Sequence, residues 1–361
     1  MNCKHFGVCG GCTLPGVPYA EQLANKRRQL ARLLGMSVPP LMPSPKESGF
    51  RNKVAFVFGN GVMGHYGAGS RRIVPIEECP VHHDRGNRIA FALRDRLLKA
   101  PVPPGVLRHV IVRTTDDGRE ASVMLVVRRN DTSLRAPVRA FLASADKGDG
   151  FFVNVHDKAG PYMVGDQTIK IEGRSHVKEV VGGVSYLLSP TAFFQTNAGA
   201  AARLLSIVQQ AVGEPSRVLD LYCGSGLFSL ALAMSGATVT AIEENRQAIV
   251  DAEANVRLNR LPPDRIRFMC ARVENAIARA GKASWDAVIL DPPRQGTPPE
   301  VLAGVFDGMR PARAIYVSCN SNALSAELPV ILKSGYRVTD VRPVDMFPHT
   351  DHIETVVTLE R

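Results

Sequence analysis

The chain has no apolar run approaching the roughly 18 residues of a membrane-spanning helix, so no such helix is expected. Its N-terminus lacks the basic-then-apolar pattern of a secretory signal and holds three cysteines instead, which makes a cytoplasmic protein the expectation. The second half lacks the positive charge of the first. Residues 1–185 hold 27 Lys and Arg against 16 Asp and Glu, while residues 186–361 hold 17 against 18. A basic half beside a neutral half suits a polyanion-binding module attached to a second unit. With 361 residues, 45% of them hydrophobic and 22% charged, two soluble globular domains are expected, divided at 1–185 and 186–361. No feature asks for an obligate protein partner, and a monomer is expected.

Cys3, Cys9 and Cys12 lie close together in CKHFGVCGGC. In a cytoplasmic chain such clustering argues for a metal rather than for disulfides. Gly7, Gly10 and Gly11 let the loop curl so that three thiolates face one point. A fourth ligand must come from elsewhere, and Cys79 in EECP is the nearest candidate. Four thiolates suit zinc and a [4Fe–4S] cluster alike, and spacing alone does not separate them. Cys223 and Cys270 are expected to be core thiols.

Tyr19–Leu34 reads as a basic amphipathic helix that exposes Gln22, Lys26, Arg27, Arg28 and Arg32, and a Pro-rich linker, Ser37–Pro45, follows. Val54–Phe58, the turn Gly59-Asn60-Gly61 and a Gly-rich return to Ile73 predict a hairpin. Its Gly-rich stretch, with Arg71 and Arg72, reads equally as a phosphate cradle or a plain turn. Val106–Val112 and Ala121–Val127 predict a second strand pair, Asp84–Leu98 a helix, and Phe151–Val155, Thr168–Ile171 and Val184–Leu188 further strands. From Arg217 onward strands alternate with helices, the signature of a doubly wound parallel sheet. Its last two strands, Tyr336–Val344 and Thr355–Leu359, are joined by a loop, so the final strand is expected to run antiparallel to the rest.

VLDLYCGSGLFSLALA is strand, Gly-rich turn and helix, without the third glycine of a dinucleotide fingerprint. About 20 residues on, Glu243 ends the next strand, where an acid takes two ribose hydroxyls. Asp291 opens DPPRQG beside the same crevice, and Asp220 reads as a crevice residue or a helix cap. A nucleoside without pyrophosphate fits, which favours S-adenosylmethionine over NAD. Cys319 ends another strand of this sheet, and an antiparallel last strand brings Glu354 to the same edge as Cys319, Asp291, Glu243 and Tyr222. A thiolate and a carboxylate beside a methyl donor suit C5 methylation of uracil. Addition of the thiolate at C6 makes C5 nucleophilic, and a base then removes the C5 proton.

With these residues in place the chain resembles the RNA 5-methyluridine methyltransferases, through CKHFGVCGGC, GFRNKVAF, SPTAFFQTN, DLYCGSG, DPPRQG, VSCN and DMFPHTDHIE. The resemblance spans nearly the whole chain. It implies a C-terminal Rossmann-like class I methyltransferase sheet behind a β-rich RNA-binding domain. It implies a [4Fe–4S] cluster on Cys3, Cys9, Cys12 and Cys79, S-adenosylmethionine contacts from Gln195, Tyr222, Glu243 and Asp291, Cys319 as nucleophile and Glu354 as base. Phe193 would be an aromatic near the splayed RNA base. Cluster cysteines, and a chain that starts at the cluster loop, look closest to the short iron–sulfur branch acting on 23S rRNA, with a tRNA T-loop uridine as the alternative. Leu227 departs from members that place a polar residue there.

Two rivals stand against this reading. An exocyclic N-methyltransferase would carry an aromatic after (D/N)PP, where this chain has Arg294, and it would leave Cys319 without a task. A non-catalytic RNA-binding iron–sulfur protein would not need Cys319 and Glu354 together. His349 and His352 have a spacing compatible with a metal, but ordering the loop before Glu354 or touching RNA is the stronger reading.

Overall fold

The computed structural model describes every residue except Pro15, Ala159, Pro161, Tyr162, Pro215, Ser216 and Lys282. After a first helix, α1 (Tyr19–Leu34), come three short strands, β1 (Lys53–Gly59), β2 (Val62–Tyr66) and β3 (Ile73–Pro75). They are followed by α2 (Asp84–Lys99), β4 (Leu107–Thr114), β5 (Ala121–Val127), α3 (Arg135–Leu142), β6 (Gly150–Val155) and β7 (Gln167–Gly173). These strands form one seven-stranded sheet in the order β3-β2-β1-β4-β5-β6-β7. Every neighbouring pair is antiparallel except β5 and β6, which α3 connects as a crossover. Asn60 and Gly61 turn β1 into β2 with φ of 51° and 75°, the doubly left-handed turn that matches the twist of a hairpin. Phe56, Leu93, Val110, Leu125 and Phe141 fill the core between this sheet and its two helices.

A two-stranded hairpin follows, β8 (Val177–Val181) and β9 (Val184–Leu188). Then come α4 (Ala198–Val212), β10 (Arg217–Leu221), α5 (Leu227–Met234), β11 (Thr238–Glu243), α6 (Arg246–Leu258), β12 (Ile266–Cys270), α7 (Val273–Ala280) and β13 (Ala287–Leu290). The chain ends with α8 (Pro299–Ala303), β14 (Arg313–Ser318), α9 (Ser321–Lys333), β15 (Arg337–Val344) and β16 (Glu354–Glu360). The second sheet has the order β12-β11-β10-β13-β14-β16-β15, parallel from β12 to β14. The final strand is antiparallel to both its neighbours, as the loop-only connection from β15 predicts. β13 is buried along its whole length because helices cover both faces of the sheet. Val218, Ile289 and Val317 face one helical layer, and Leu219, Leu290 and Tyr316 face the other.

Packing does not follow the division expected at residue 185. That position falls inside β9, and Val177, Val181, Val184, Tyr186 and Leu188 all belong to a core of the second sheet. Polar side chains of α6 hold the hairpin there. Asn259, Asn255 and Asp251, spaced four residues apart on one helix face, accept from the amides of Ser185, Leu187 and Ser189. The expected linker is also packed. Val38 and Leu41 share a small core with Leu30, Val341 and Ile353, and Met42 bridges to Val344.

Helix α1 has the predicted bounds, and Arg27, Arg28 and Arg32 are exposed. Gln22 and Lys26 are not: both are buried, because each finds a partner in the loop between β15 and β16. Cys270 is likewise no core thiol, since it ends the edge strand β12 and is exposed, whereas Cys223 is buried.

Candidate active site and cysteine ring

The carboxyl ends of the second sheet's parallel strands gather the crevice. Tyr222 leaves β10 with φ of 64°, and Gly224 and Gly226 continue the turn at 54° and 88°. Gly224 has open space where a Cβ would stand. Its amide donates to Glu243 Oε2 at 3.0 Å, while Glu243 Oε1 accepts from the Asn245 amide at 2.8 Å, so the carboxylate at the end of β11 is fixed against the turn. Asp220 lies fully buried in β10. One of its oxygens accepts from Ser229 Oγ, and the other has no partner. Tyr222 Oη and Ser225 Oγ are also buried without partners. Three unpaired polar atoms beside an open glycine cradle suit a bound nucleoside.

The crevice is acidic enough to resist its own ionisation. Burial, with Glu243 nearby, pushes Asp220 up to about 7. Burial and the charges of Asp220 and Glu243 push Asp291 up to about 8. A cation is therefore the natural occupant.

Cys319 and Glu354 meet across β14 and β16. Ser318 pairs with Thr355 in antiparallel register as the last rung of β14, and Cys319, one residue beyond it, feels the charge of Glu354, the first residue of β16. Cys319 is pinned by its neighbours. Asn320 N-caps α9 by accepting from the amides of Asn322 and Ala323, its own amide donates to Ser318 Oγ, and its Nδ2 donates to the Arg294 carbonyl. This cap was readable in VSCN followed by a helix, but sequence reasoning passed over it. Burial and then the charges of Glu354 and Asp291 push the Cys319 thiol up to about 11, against the pull of Arg294. Glu354 is fully buried and is held well above the usual carboxylate range by burial and Asp291, again opposed by Arg294.

The segment after β9 carries the remaining expected residues. Phe194 is buried against Tyr186, with ring centroids 4.9 Å apart, whereas its neighbour Phe193 is 67% exposed. Gln195 is buried. Asn197 ends the segment as N-cap of α4 and donates to Ser44 Oγ and the Met346 carbonyl, a tie that sequence reasoning missed. Leu227 is buried at the start of α5, where its carbonyl accepts from Tyr186 Oη.

Cys3, Cys9, Cys12 and Cys79 line one cavity of about 240 Å³ together with Arg51, His65 and His82. Burial and the neighbouring thiols Cys9 and Cys3 push Cys12 up to about 11, and Cys79 reaches about 12 by burial, with Cys12 and Cys9 adding to it. Thiols that oppose one another's ionisation need a strong positive charge among them, and a metal centre supplies one. Among the described residues the ligand atoms of His65, Cys79 and His82 lie within 4.8 Å of one another, and four thiols on the same cavity are a donor set of the chemistry a thiolate-bound metal group would use. The Gly-rich loop of the first hairpin seats the cysteine loop. Cys9 bridges Gly67, and a Cβ on Gly10 would stand 3.1 Å from the Tyr66 carbonyl. Gly67 and Ala68 use their amides on Arg72 and Val8 carbonyls, so this loop acts as a packed turn, with Arg71 and Arg72 exposed. His349 orders the loop before Glu354 through Gln22 and the Glu47 carbonyl.

The geometry agrees with comparison to known proteins. Residues 166–361 match the tRNA (uracil-5-)-methyltransferase family. The uncharacterized RNA methyltransferase of Gloeobacter violaceus is 33% identical, over 98% of this chain and 81% of its own length. Another from Clostridium tetani is 32% identical, over 100% of this chain and 84% of its own length. The crystal structure of Pyrococcus abyssi tRNA (uracil-54, C5)-methyltransferase in complex with S-adenosyl-L-homocysteine is similar with a TM-score of 0.81 and 30% identity, over 97% of this chain and 86% of that one. The chain therefore belongs to the tRNA (uracil-5-)-methyltransferase family of S-adenosylmethionine-dependent RNA methyltransferases.

Proposed function

We propose that this chain methylates C5 of one uridine in 23S rRNA, with Cys319 as nucleophile and Glu354 as general base. The observation that carries the reading is that Cys319, next after the Ser318–Thr355 rung, lies near enough to Glu354 for that carboxylate to act on its thiol, at the edge of an acidic, glycine-cradled crevice. S-adenosylmethionine, when bound through Gln195, Tyr222, Glu243 and Asp291, supplies a cationic methyl group. Cys319, once its thiol has given up its proton, adds through Sγ to C6 of the uracil; the electron pair moves to C5, which takes the methyl as the donor's S–CH3 bond breaks and leaves a neutral thioether. Glu354 accepts the C5 proton, the C5–C6 double bond re-forms, and Cys319 leaves. Both groups sit high in the free protein, and a cation in the crevice lowers them together, which couples cofactor binding to readiness for attack. Exposed Phe193 stacks on the base drawn out of the RNA.

Cys3, Cys9, Cys12 and Cys79 hold a [4Fe–4S] cluster in this reading. Four thiolates on one cavity suit such a cluster, and the resemblance to the iron–sulfur branch favours it over a zinc ion. Such a cluster, when bound, cross-links the cysteine loop to Cys79, and no step of methyl transfer passes through it. The cysteine ring and the resemblance to the short iron–sulfur branch support rRNA. A tRNA uridine is the second reading, favoured by the tRNA uracil-54 activity of the Pyrococcus abyssi relative.

Covalent trapping tests the chemistry. RNA carrying 5-fluorouridine should form a stable adduct with the native chain, and Cys319→Ala should lose both adduct and methylation, by about 10⁴-fold or more. An adduct on the Cys319→Ala protein would end the proposal. Mapping 5-methyluridine in rRNA and tRNA from a strain lacking the gene decides between substrates.

A further inference from the structure

The cysteine loop runs directly into the segment that holds the loop in front of Glu354. Cys12 is followed by Thr13 and Leu14, whose amides both donate to the His349 carbonyl at 3.0 Å. Thr13 Oγ1 donates to Asp351 Oδ1 at 3.1 Å and accepts from the Asp351 amide at 2.9 Å. This latch joins the two ends of the chain.

The loop it grips has short-range bonds of its own, such as the Thr350 amide and Oγ1 on the Phe347 carbonyl, but other segments hold it as well. His349 has φ of 67°, a left-handed conformation that a bulky residue keeps only when its surroundings impose it. Gln22 Oε1 accepts from the His349 amide at 2.7 Å, and Lys26 donates to the Phe347 carbonyl at 3.1 Å. Those two contacts come from α1, whereas the latch comes from the segment just behind the ring. On its other side the cysteine loop is tied to the first sheet by the Gly10 amide on the Tyr66 carbonyl and the Ala68 amide on the Val8 carbonyl. The fourth sulfur, Cys79, comes from a separate loop beyond β3, so a metal group on all four closes the ring across both segments.

We propose that Thr13 and Leu14 are positioning residues for Glu354, and that the filled cysteine ring anchors them. The ring thereby serves to latch the base loop in place. This rests on the reading of Glu354 as base and of the ring as a cluster site. A base works only within hydrogen-bond reach of its proton, and a small displacement slows transfer steeply. Loosening the latch should therefore slow the proton-removal step and spare the attack by Cys319, which the Asn320 cap fixes independently.

The test uses the full chain in three forms: native, Thr13→Ala and Thr13→Ser. Thr13→Ala should keep its brown colour and its RNA affinity, and should form the 5-fluorouridine adduct at the native rate. With uridine RNA it should clear the adduct about tenfold more slowly, from the loss of two modest hydrogen bonds, and Thr13→Ser should restore clearance. Stripping the metal from the native protein should raise hydrogen exchange in residues 346–353 about tenfold or more while β13 and β14 stay protected. The proposal is overturned if exchange in 346–353 is unchanged by stripping, or if Thr13→Ala slows adduct formation and clearance equally. A protein purified anaerobically without colour overturns it by removing the cluster. Persistence of the adduct in Cys319→Ala is a separate result that removes the catalytic reading and leaves the exchange data standing.

Discussion

The cysteine ring takes its acids from loops, whereas the carboxylate crevice takes its acids from strand ends. Cys3, Cys9 and Cys12 lie before the first helix, and Cys79 lies between β3 and α2. Asp220, Glu243, Asp291 and Glu354 stand on or beside β10, β11, β13 and β16 of one sheet. Burial raises Cys9, Cys12 and Cys79 in one set and Asp220, Asp291 and Glu354 in the other, and each set faces an arginine: Arg51 opposes the shift of Cys12, and Arg294 opposes those of Cys319 and Glu354. The difference is what holds the geometry. The β14–β16 pairing, which ends at Ser318–Thr355 just before Cys319 and Glu354, needs no ligand. The cysteine loop has a few backbone bonds to the first hairpin and its latch to His349, and on the proposed reading it relies further on what the sulfurs bind. On the proposed reading the Cys319–Glu354 pair is thus preset by the sheet, while the support of its loop depends on an added group.

The largest test of that contrast lies in the preset pair. Glu354→Gln should lower turnover by about 10²–10⁴-fold, the usual worth of a positioned general base. Adduct formation should survive, so the covalent complex with uridine RNA should accumulate on denaturing gels. If Glu354→Gln abolished adduct formation as completely as Cys319→Ala, the two residues would not divide the steps as described.

The next test uses a buried acid that already has its cation. Lys26 Nζ lies 2.7 Å from Asp345 Oδ1, and both side chains are almost wholly buried. Lys26→Met leaves Asp345 charged and unpaired and should cost about 3–5 kcal/mol of stability, measured by denaturant unfolding. The double variant Lys26→Met/Asp345→Asn should recover much of it. A cost under about 1 kcal/mol, typical of exposed pairs, would show that the pair does not fix α1 against the loop before Glu354.

These two sites also mark where the sequence is readable. Cys319 and Glu354 could be brought together because a loop-only connection demands an antiparallel final strand, and β-register is a local rule. Glu243 was placed by its distance from the Gly-rich turn. The burial of Lys26 and Gln22 was hidden, because their partners Asp345 and His349 lie more than 300 residues away and helical periodicity records polarity, not partners. β8 went unread, and β9 was predicted as a strand but cut by the boundary at 185, for a similar reason. Its attachment to the second sheet depends on Asp251, Asn255 and Asn259, which read in sequence as ordinary polar positions of α6. Helices α4 and α7 went unread.

The crevice also predicts how stability should respond to pH. Asp220 and Asp291 are raised to about 7 and about 8, so the folded chain keeps protons that the unfolded chain has already lost. Their contribution is full below the ordinary carboxyl range near ~4 and is lost as pH rises through those raised values. Without cofactor the melting temperature should fall between about pH 5 and pH 8. S-adenosylmethionine should stabilise more at the upper end of that window, because its cation meets carboxylates there. Asp291→Asn should flatten the slope. A cofactor-free protein that gains stability across the window would show that the strand-end acids are not buried as described.

The smallest effect is expected outside both acid sets, at Phe193. The neighbouring Phe194 anchors the segment against Tyr186, so Phe193→Ala should leave the fold and the cysteine ring unchanged. What it removes is an exposed face for the base drawn from the RNA, worth about 1–3 kcal/mol per stacked base. KM for RNA should rise by roughly 10-fold to 100-fold, while the affinity for S-adenosylmethionine stays native and Phe193→Tyr retains most of the activity. The split matters more than the size. A fall in turnover without a rise in KM would mean that Phe193 acts on the geometry of Cys319 and Glu354, and the preset pair would then need a support that its sheet register does not provide.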